Sequence, residues 1–226
     1  MLEALIFDFD GLIVDTEYPD FQAWREMCQQ YGVELSIETW LPCVGTGATT
    51  QVFDPHRYLE EQAGRSLDRE IIRARVKRRG LELIEAQPIL PGVQELILEA
   101  KRRGLRLAVA SSSSRAWVAG HLTRLGLIEY FETLACGDEV EYTKPHPDLY
   151  LSALERLGVR ADQAIAFEDS LNGMLAARSA GIFCVVVPGS LTQYLTFEQV
   201  DVRLSSLAEV SLDALIEHFS VISRAQ

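Results

Sequence analysis

The chain has 226 residues, 48% of them hydrophobic and 24% charged, which is typical of a globular protein with one large domain or two modest ones. The formal net charge of −12 and the sequence pI near 4.8 argue against a surface that binds nucleic acid or anionic membranes. The sequence has neither an apolar run of membrane-spanning length nor a basic, apolar leader, so we expect a cytoplasmic protein.

The first stretch of the chain joins a short apolar run to acidic residues. Residues 4–7 (Ala-Leu-Ile-Phe) predict a buried β-strand, and Asp8 and Asp10 follow it, before Gly11. Alternate residues of a strand share a face, so we expect the two carboxylates side by side. Such carboxylates repel unless a cation lies between them. The pair therefore indicates a divalent metal at the end of this strand.

The next region predicts helices and no strand. Apolar residues recur at three- and four-residue steps, which is the pattern of a buried helix face. The predicted helices cover residues 17–31, 55–63 and 67–86. A loop containing Gly45-Thr46-Gly47 separates the first from the second. We therefore predict a helical cap at 16–88, inserted into a core formed by 1–15 and 89–226.

From residue 92 onward, apolar runs alternate with helical patterns. Strands are predicted at 105–110, 133–136, 164–167 and 182–187, with an edge strand at 202–204. Helices are predicted at 93–103, 115–125, 147–157, 171–180 and 212–219. Strands that are apolar on both faces and alternate with helices predict an α/β fold with a doubly wound parallel sheet.

The cysteines do not indicate disulfides or a zinc site. Cys28, Cys43, Cys136 and Cys184 lie far apart in the sequence and form no CxxC pair. Cys136 and Cys184 stand in apolar runs, so we expect buried, reduced thiols.

Three predicted strands end in residues that suit phosphate chemistry. These residues are Asp8 with Asp10, Ser111, and Glu168 with Asp169, and Lys144 lies in a further loop. Because the carboxyl ends of parallel strands meet at one edge of a sheet, we expect these side chains to lie together. Carboxylate oxygens suit Mg²⁺, while an ammonium and a hydroxyl suit phosphate oxygens. The sequence thus predicts a site for magnesium and phosphate.

The same residues resemble a known family. Asp8-Phe9-Asp10-Gly11, Ser111, Lys144-Pro145 and Glu168-Asp169-Ser170 resemble, in this order, the four motifs of the haloacid dehalogenase superfamily. Asp15-Thr16-Glu17 and residues 167–173 are similar to the beta-phosphoglucomutase-like branch of its phosphatases and mutases. The resemblance extends from about residue 4 to 187, and it implies a Rossmann-like core with an α-helical cap.

The resemblance implies a catalytic role for each motif residue. Asp8 would attack the phosphorus and carry an aspartyl-phosphate. Asp10 would protonate the leaving alkoxide and then deprotonate the hydrolytic water. Ser111, Ser112 and Lys144 would hold the phosphoryl oxygens, and Lys144 would also stabilise charge on Asp8.

The resemblance also implies the metal ligands. Asp8, Asp169 and the backbone carbonyl of Asp10 would bind Mg²⁺. Glu168 would help to bind Mg²⁺, either as a further ligand or by contacting the residues that are ligands. Histidine ligands are not expected, since the four histidines of the chain are scattered at unrelated spacings.

The predicted cap departs from the mutase pattern. Beta-phosphoglucomutases carry a histidine before an Ala-Trp pair, where this chain has Asp20 before Ala23-Trp24. They also present an arginine that grips a second phosphate, whereas residues 45–49 here contain no basic side chain. Lys77 or a neighbouring arginine could replace that arginine, so a mutase stays open. The candidate cap contacts with the substrate are Trp24, Gly45 and Thr46.

The sequence therefore predicts a Mg²⁺-dependent phosphatase whose partner is a small phosphorylated metabolite, such as a sugar phosphate. We expect no nucleic-acid or membrane partner, and a monomer or weak dimer. The alternatives are a phosphosugar mutase, a dehalogenase and a non-catalytic binding module. The intact motif residues argue against a binding module. The acidic metal pair and Asp10 favour phosphate chemistry over dehalogenation.

Overall fold

The computed structural model describes residues 1–44, 53–198 and 200–222, and its centre is a parallel β-sheet. The strands are β1 (Ala4–Phe7), β2 (Arg106–Ser111), β3 (Thr133–Cys136), β4 (Ala164–Glu168), β5 (Phe183–Val186) and β6 (Val202–Arg203). Over these described residues the sheet has the order β3-β2-β1-β4-β5-β6, and every pair is parallel. The order reverses beside β1, which is where such sheets open a crevice. The predicted doubly wound α/β fold is confirmed.

Among the described residues between β1 and Pro88 there are four α-helices, and we call them the inserted helices. They are α1 (Glu17–Gln30), α2 (Ile37–Trp40), α3 (Pro55–Ala63) and α4 (Arg69–Glu85). The short helix α2 was not predicted, since four residues are too few to show a period. The helices that follow are α5 (Val93–Arg102), α6 (Arg115–Arg124), α7 (Asp148–Leu157), α8 (Leu171–Ser179) and α9 (Leu212–Ile222).

Strand β1 is buried on both of its faces. Leu5 and Phe7 belong to one apolar cluster, which includes side chains of α5, α6 and α9. Ala4 and Ile6 belong to a second cluster, which includes side chains of α7 and α8. This alternation explains why the strand reads as a continuous apolar run in the sequence. Packing on both faces holds the carboxyl end of β1 in place.

The inserted helices share an apolar cluster, to which Leu191 from the segment after β5 also belongs. Phe21, Trp24 and Met27 of α1 pack together with Leu59 of α3 and Val76 of α4. These positions of α1 follow the three- and four-residue steps seen in the sequence. A cluster built mainly from the inserted helices is consistent with the predicted cap, and the boundaries at 15/16 and 88/89 stay a prediction.

Two expectations from composition can be compared with the structure. Cys28, Cys136 and Cys184 are buried and free, which confirms the prediction for these three thiols. Within the residues that the structure describes, no helix combines the length and the apolar character needed to cross a membrane.

We expect Gly92→Ala to destabilise the core more than Gly104→Ala. Both glycines have left-handed backbones, with φ of +84° and +76°. A Cβ at Gly92 would overlap backbone atoms of Leu207 and Ala208, whereas a Cβ at Gly104 would meet nothing within 4 Å. Gly104→Ala should cost roughly 1–2 kcal/mol of unfolding free energy from the backbone alone. Gly92→Ala should cost about 1–3 kcal/mol more, because backbone atoms cannot move aside easily. Urea titration measures both, and equal losses would contradict the expected clash.

Candidate active site

The carboxyl ends of β1 and β4 bring two acidic motifs together. Phe7 pairs with Phe167 across these strands, and the N–H of Asp8 donates to the carbonyl of Phe167 at 2.9 Å. Asp8 therefore lies beside Glu168, the last residue of β4, and Asp169 comes next. Carboxylate oxygens of Asp8, Glu168 and Asp169 lie within 4.8 Å of one another. We call these three residues the acidic cluster.

Lys144, from the loop between β3 and α7, supplies a positive charge to the acidic cluster. Its Nζ lies 2.6 Å from Asp8 Oδ1 and 2.6 Å from Glu168 Oε1. The Lys144 side chain is only 6% exposed, and that of Glu168 is fully buried. Charges interact strongly at such distances away from water. However, three carboxyl groups share this ammonium, so the ionised cluster has excess negative charge.

The excess negative charge changes the pKa values of the cluster. Burial, followed by repulsion from Glu168, raises the pKa of Asp8 to about 8, although Lys144 opposes the rise. Burial and repulsion from Asp8 and Glu168 raise the pKa of Asp169 well above its usual range. Burial alone would lower the pKa of Lys144, but the Asp8 and Glu168 carboxylates outweigh it and raise that pKa. The cluster thus favours an additional cation.

The donor set of the acidic cluster fits a divalent metal ion. All of its side-chain donors are hard carboxylate oxygens, the ligands that Mg²⁺ prefers. Glu168 Oε1 accepts from Lys144 and Tyr150, while the buried Oε2 has no hydrogen-bond partner among the described residues. A buried carboxylate oxygen without a donor is costly unless a cation approaches it. These observations support the predicted metal site, with Glu168 as one of its members.

Two residues that fix the position of the Glu168 carboxylate, Tyr150 and Gly173, were not predicted as site residues from the sequence. Tyr150 of α7 donates a hydrogen bond from its hydroxyl to Glu168. Its place on the apolar side of an amphipathic helix is typical of a core residue and gives no sign of this contact. Gly173 lies in the first turn of α8, where a Cβ would overlap the Glu168 carboxylate. Any larger residue at position 173 would displace the Glu168 carboxylate. In the sequence, Gly173 was marked only by the similarity of residues 167–173 to the beta-phosphoglucomutase-like branch.

The Asp10 carboxylate has a different set of partners. Trp117 Nε1 donates to Asp10 Oδ1 at 2.9 Å, and Ser113 Oγ donates to Oδ2 at 2.6 Å. Ser111 Oγ also donates to Oδ2, at 3.3 Å. Because β1 ends at Phe7, the strand alternation expected for Asp8 and Asp10 does not reach them. The role of the Asp10 backbone carbonyl as a ligand stays a prediction.

The other predicted substrate contacts lie in several places. Ser111 is the last residue of β2 and is buried, and Ser112 is exposed. Trp24 lies on α1, and its ring meets the His56 ring edge-on with 4.7 Å between centroids. Gly45 and Thr46 fall outside the described residues. Trp117 and Ser113, which hold Asp10, were not predicted, since neither belongs to a motif of the resemblance.

A cavity of about 580 Å³ separates the inserted helices from α6. Its lining residues are Asp20, Trp24, Asp54, Pro55, His56, Arg69, Arg73, Val76, Lys77, Gly80, Leu81, Ile84 and Trp117. Trp117 lines this cavity and also donates to Asp10. The cavity therefore adjoins the Asp10 side of the candidate site, and it has room for a molecule of sugar size.

Comparison with known proteins gives consistent relatives. The family model for haloacid dehalogenase-like hydrolases matches residues 5–187. YhcW of Bacillus subtilis (strain 168) is 43% identical over 220 residues, which cover 97% of this chain and 99% of YhcW. Hexitol phosphatase B of Escherichia coli (strain K12) is 34% identical over 215 residues, which cover 94% and 96%. The crystal structure of mutant CbbY from Rhodobacter sphaeroides, in complex with xylulose-(1,5)bisphosphate, has a TM-score of 0.75 and 34% identity over 95% of this chain and 99% of CbbY.

The matched residues run from β1 to just beyond β5. They include the acidic cluster, Lys144, Asp10 with its partners, and the inserted helices. The relatives span almost the whole chain, so the likeness extends well beyond the motifs. This chain belongs to the haloacid dehalogenase-like hydrolase family, in its beta-phosphoglucomutase-like branch.

Proposed function

We propose that this protein is a Mg²⁺-dependent phosphatase that hydrolyses a small phosphate monoester through an aspartyl-phosphate on Asp8. The observation that carries the proposal is the 2.6 Å pair of Asp8 and Lys144 within a buried cluster of three carboxyl groups. Phosphoryl transfer depends mainly on positioning and charge neutralisation, which such a cluster supplies. The phosphatase relatives support the enzyme class, a phosphoric monoester hydrolase. Hexitol phosphatase B supports a phosphorylated sugar or polyol as substrate.

The proposed reaction has two steps. In the first, a carboxylate oxygen of Asp8 attacks the phosphorus, the ester P–O bond breaks, and Asp10 gives a proton to the leaving oxygen. In the second, Asp10 takes a proton from water, which attacks the aspartyl-phosphate and releases phosphate. Lys144 and Ser111 hold phosphoryl oxygens, and Asp8 is restored as a free carboxylate.

In the proposal, Asp8, Glu168 and Asp169 are the side chains that would hold Mg²⁺. When bound, the ion neutralises charge on the phosphoryl group that is transferred. Tyr150 and Lys144 orient Glu168, and Lys144 keeps contact with the attacking carboxylate. Since repulsion within the cluster contributes to the raised pKa of Asp8, an added cation would favour its ionised, nucleophilic form.

The leaving group is proposed to occupy the cavity between the inserted helices and α6. Trp24, His56 and Trp117 offer ring surfaces to the carbon skeleton of a sugar, and Asp20 offers a hydrogen-bond acceptor. Enclosure of the leaving group would exclude bulk water from the aspartyl-phosphate. In this proposal the core performs the chemistry, and the inserted helices select the substrate.

A phosphosugar mutase is the second candidate, and one observation favours it. Arg73 and Lys77 line the cavity, and among the described residues neither has an ion pair or a side-chain hydrogen bond. By contrast, Arg69 and Arg79 pair with acidic side chains. A mutase has to hold a doubly phosphorylated intermediate, for which two unpaired cations are suitable. Hydrolysis is preferred, because the residues 45–49 lack the arginine of the mutase pattern.

The proposal predicts Mg²⁺-dependent release of phosphate that Asp8→Asn abolishes. The substrates are glucose 6-phosphate, sorbitol 6-phosphate, glycerol 2-phosphate and p-nitrophenyl phosphate, each assayed with Mg²⁺ and with EDTA. Asp8→Asn should lower the rate more than about a thousandfold, as expected on loss of a nucleophile. Asp213→Asn is the matched control, because Asp213 lies on α9 with a side chain that is 76% exposed, and it should leave the rate unchanged.

Failure of this assay would separate the alternatives. If no ester releases phosphate, the phosphatase proposal is wrong. Conversion of beta-glucose 1-phosphate to the 6-phosphate, with a bisphosphate primer, would then establish the mutase. If neither reaction occurs, a non-catalytic binding module becomes the better explanation.

Stability without a metal should fall as the pH rises from about 4 to about 8. Over this range the folded state keeps a proton on Asp8, whose pKa is raised to about 8, whereas the unfolded chain has lost it. A group with a raised pKa stabilises the folded state at low pH, and this contribution is lost as the pH approaches the folded value. In EDTA, Tm should therefore fall with pH less steeply for Asp8→Asn than for the wild type. Added Mg²⁺ should raise the wild-type Tm more at pH 8 than at pH 5.5, and equal increases would contradict this metal site.

Gly173→Ala should weaken the metal site by displacing Glu168. We expect the Mg²⁺ concentration for half-maximal activity to rise about tenfold to a hundredfold, the usual effect of disturbing a ligand from outside the coordination sphere. Gly120→Ala is the matched control, because a Cβ at this α6 position meets nothing within 4 Å. Titration of activity with Mg²⁺ measures both variants. An unchanged Mg²⁺ requirement in Gly173→Ala would show that Glu168 does not help to bind the metal.

A further inference from the structure

Asp10 is held by a residue that belongs to none of the four motifs. The indole Nε1–H of Trp117 donates to Asp10 Oδ1 at 2.9 Å, and the two residues are 107 positions apart in the chain. Trp117 lies in the first turn of α6, which follows Ser111 at the end of β2 and Ser113 in the connecting loop. The contact thus links the start of α6 directly to the Asp10 carboxylate, three residues after the end of β1.

The ring of Trp117 is itself fixed by the core. It packs against the apolar cluster on the α5, α6 and α9 side of the sheet. The His121 ring meets it edge-on with 4.3 Å between centroids, and His121 in turn approaches Phe9 at 6.1 Å. His121 Nδ1 accepts a hydrogen bond from Arg124 Nε at 3.4 Å. A ring supported on several sides presents its N–H in one direction.

The chemistry of the donors distinguishes Trp117 from the serines. An indole N–H can only donate, so it cannot compete for the proton that Asp10 transfers. A serine hydroxyl can donate or accept, and the proposed reaction uses Ser111 for a phosphoryl oxygen. Trp117 therefore keeps Oδ1 as an acceptor, which leaves Oδ2 to carry the proton. Ser113, at 2.6 Å from Oδ2, can turn its hydroxyl when that oxygen is protonated.

We propose that Trp117 is the positioning residue for the proton transfer by Asp10, and that it holds Oδ1 so that Oδ2 faces the leaving oxygen. This proposal rests on the phosphatase function proposed above. As the P–O bond breaks and the Asp8–phosphorus bond forms, the proton moves from Asp10 Oδ2 to the leaving oxygen. Because Trp117 also lines the cavity, the leaving group lies against the residue that orients its proton donor.

The test compares leaving groups that differ in their need for a proton. An alkoxide is a poor leaving group and needs protonation, whereas p-nitrophenolate leaves without it. Trp117→Phe keeps an aromatic ring and removes the N–H. The value of kcat/KM, which covers the steps up to release of the leaving group, is measured for p-nitrophenyl phosphate and for the best alkyl ester among glucose 6-phosphate, sorbitol 6-phosphate and glycerol 2-phosphate.

We expect Trp117→Phe to lower kcat/KM for the alkyl ester about tenfold to a hundredfold, a part of what a general acid contributes. The value for p-nitrophenyl phosphate should stay within about threefold of the wild type, because its leaving group needs no acid. Ser113→Ala should show the same selective loss. The double variant should lose less than the product of the single effects, since both residues act through Asp10.

An equal loss for the two classes of ester would overturn the proposal, because it would indicate a merely structural role. An unchanged or higher kcat/KM for the alkyl ester would also overturn it. If Trp117→Phe does not fold, as judged by Tm, Trp117→Leu also lacks the donor and allows the same comparison. A wild type that hydrolyses no ester would instead refute the phosphatase function, so the two failures are distinguishable.

Discussion

The site depends on an imbalance of charge at the carboxyl edge of the sheet. Asp8, Glu168 and Asp169 are all buried, and Lys144 alone, among the groups that contact them, brings a positive charge within the described residues. Like charges held this closely oppose folding. The apolar layers on both faces of β1 and β4 hold these groups together and offset part of that cost. The same imbalance makes the cluster suitable for a divalent cation.

The two aspartates of the first motif show how neighbours in sequence acquire different surroundings. Asp8 lies against Lys144 and belongs to the acidic cluster, which suits the nucleophile of the proposed reaction. Asp10 accepts hydrogen bonds from Trp117 and Ser113, which suits the proton donor of the proposed reaction. Pairs of acids commonly take different roles when their environments differ in this way. Here the difference arises because one residue faces β4 and α7, and the other faces the start of α6.

The inserted helices form most of the cavity wall beside the candidate site, and Glu17 of α1 adds a negative charge that acts on Asp169. A shared apolar cluster keeps α1, α3 and α4 together, and the cavity lies between them and Trp117. The basic side chains of Arg69, Arg73 and Lys77 on its walls belong to α4. Arg73 and Lys77 give this wall positive charge. Under the proposed function, substrate choice would change through these helices while the core remains the same.

The sequence alone determined the parallel sheet, the end of each strand to within one residue, and the motif residues. These features follow from local patterns: apolar runs of strand length, helical periods between them, and polar residues directly after the strands. Tertiary structure alone decided the partners of Asp10, the contact of Tyr150 with Glu168 and the raised pKa of Asp8. Each of these involves residues that are distant in sequence and meet only when α6 and α7 pack beside β1 and β4. A hydrogen bond or a charge repulsion depends on distances through space, and local sequence patterns contain no information about such distances.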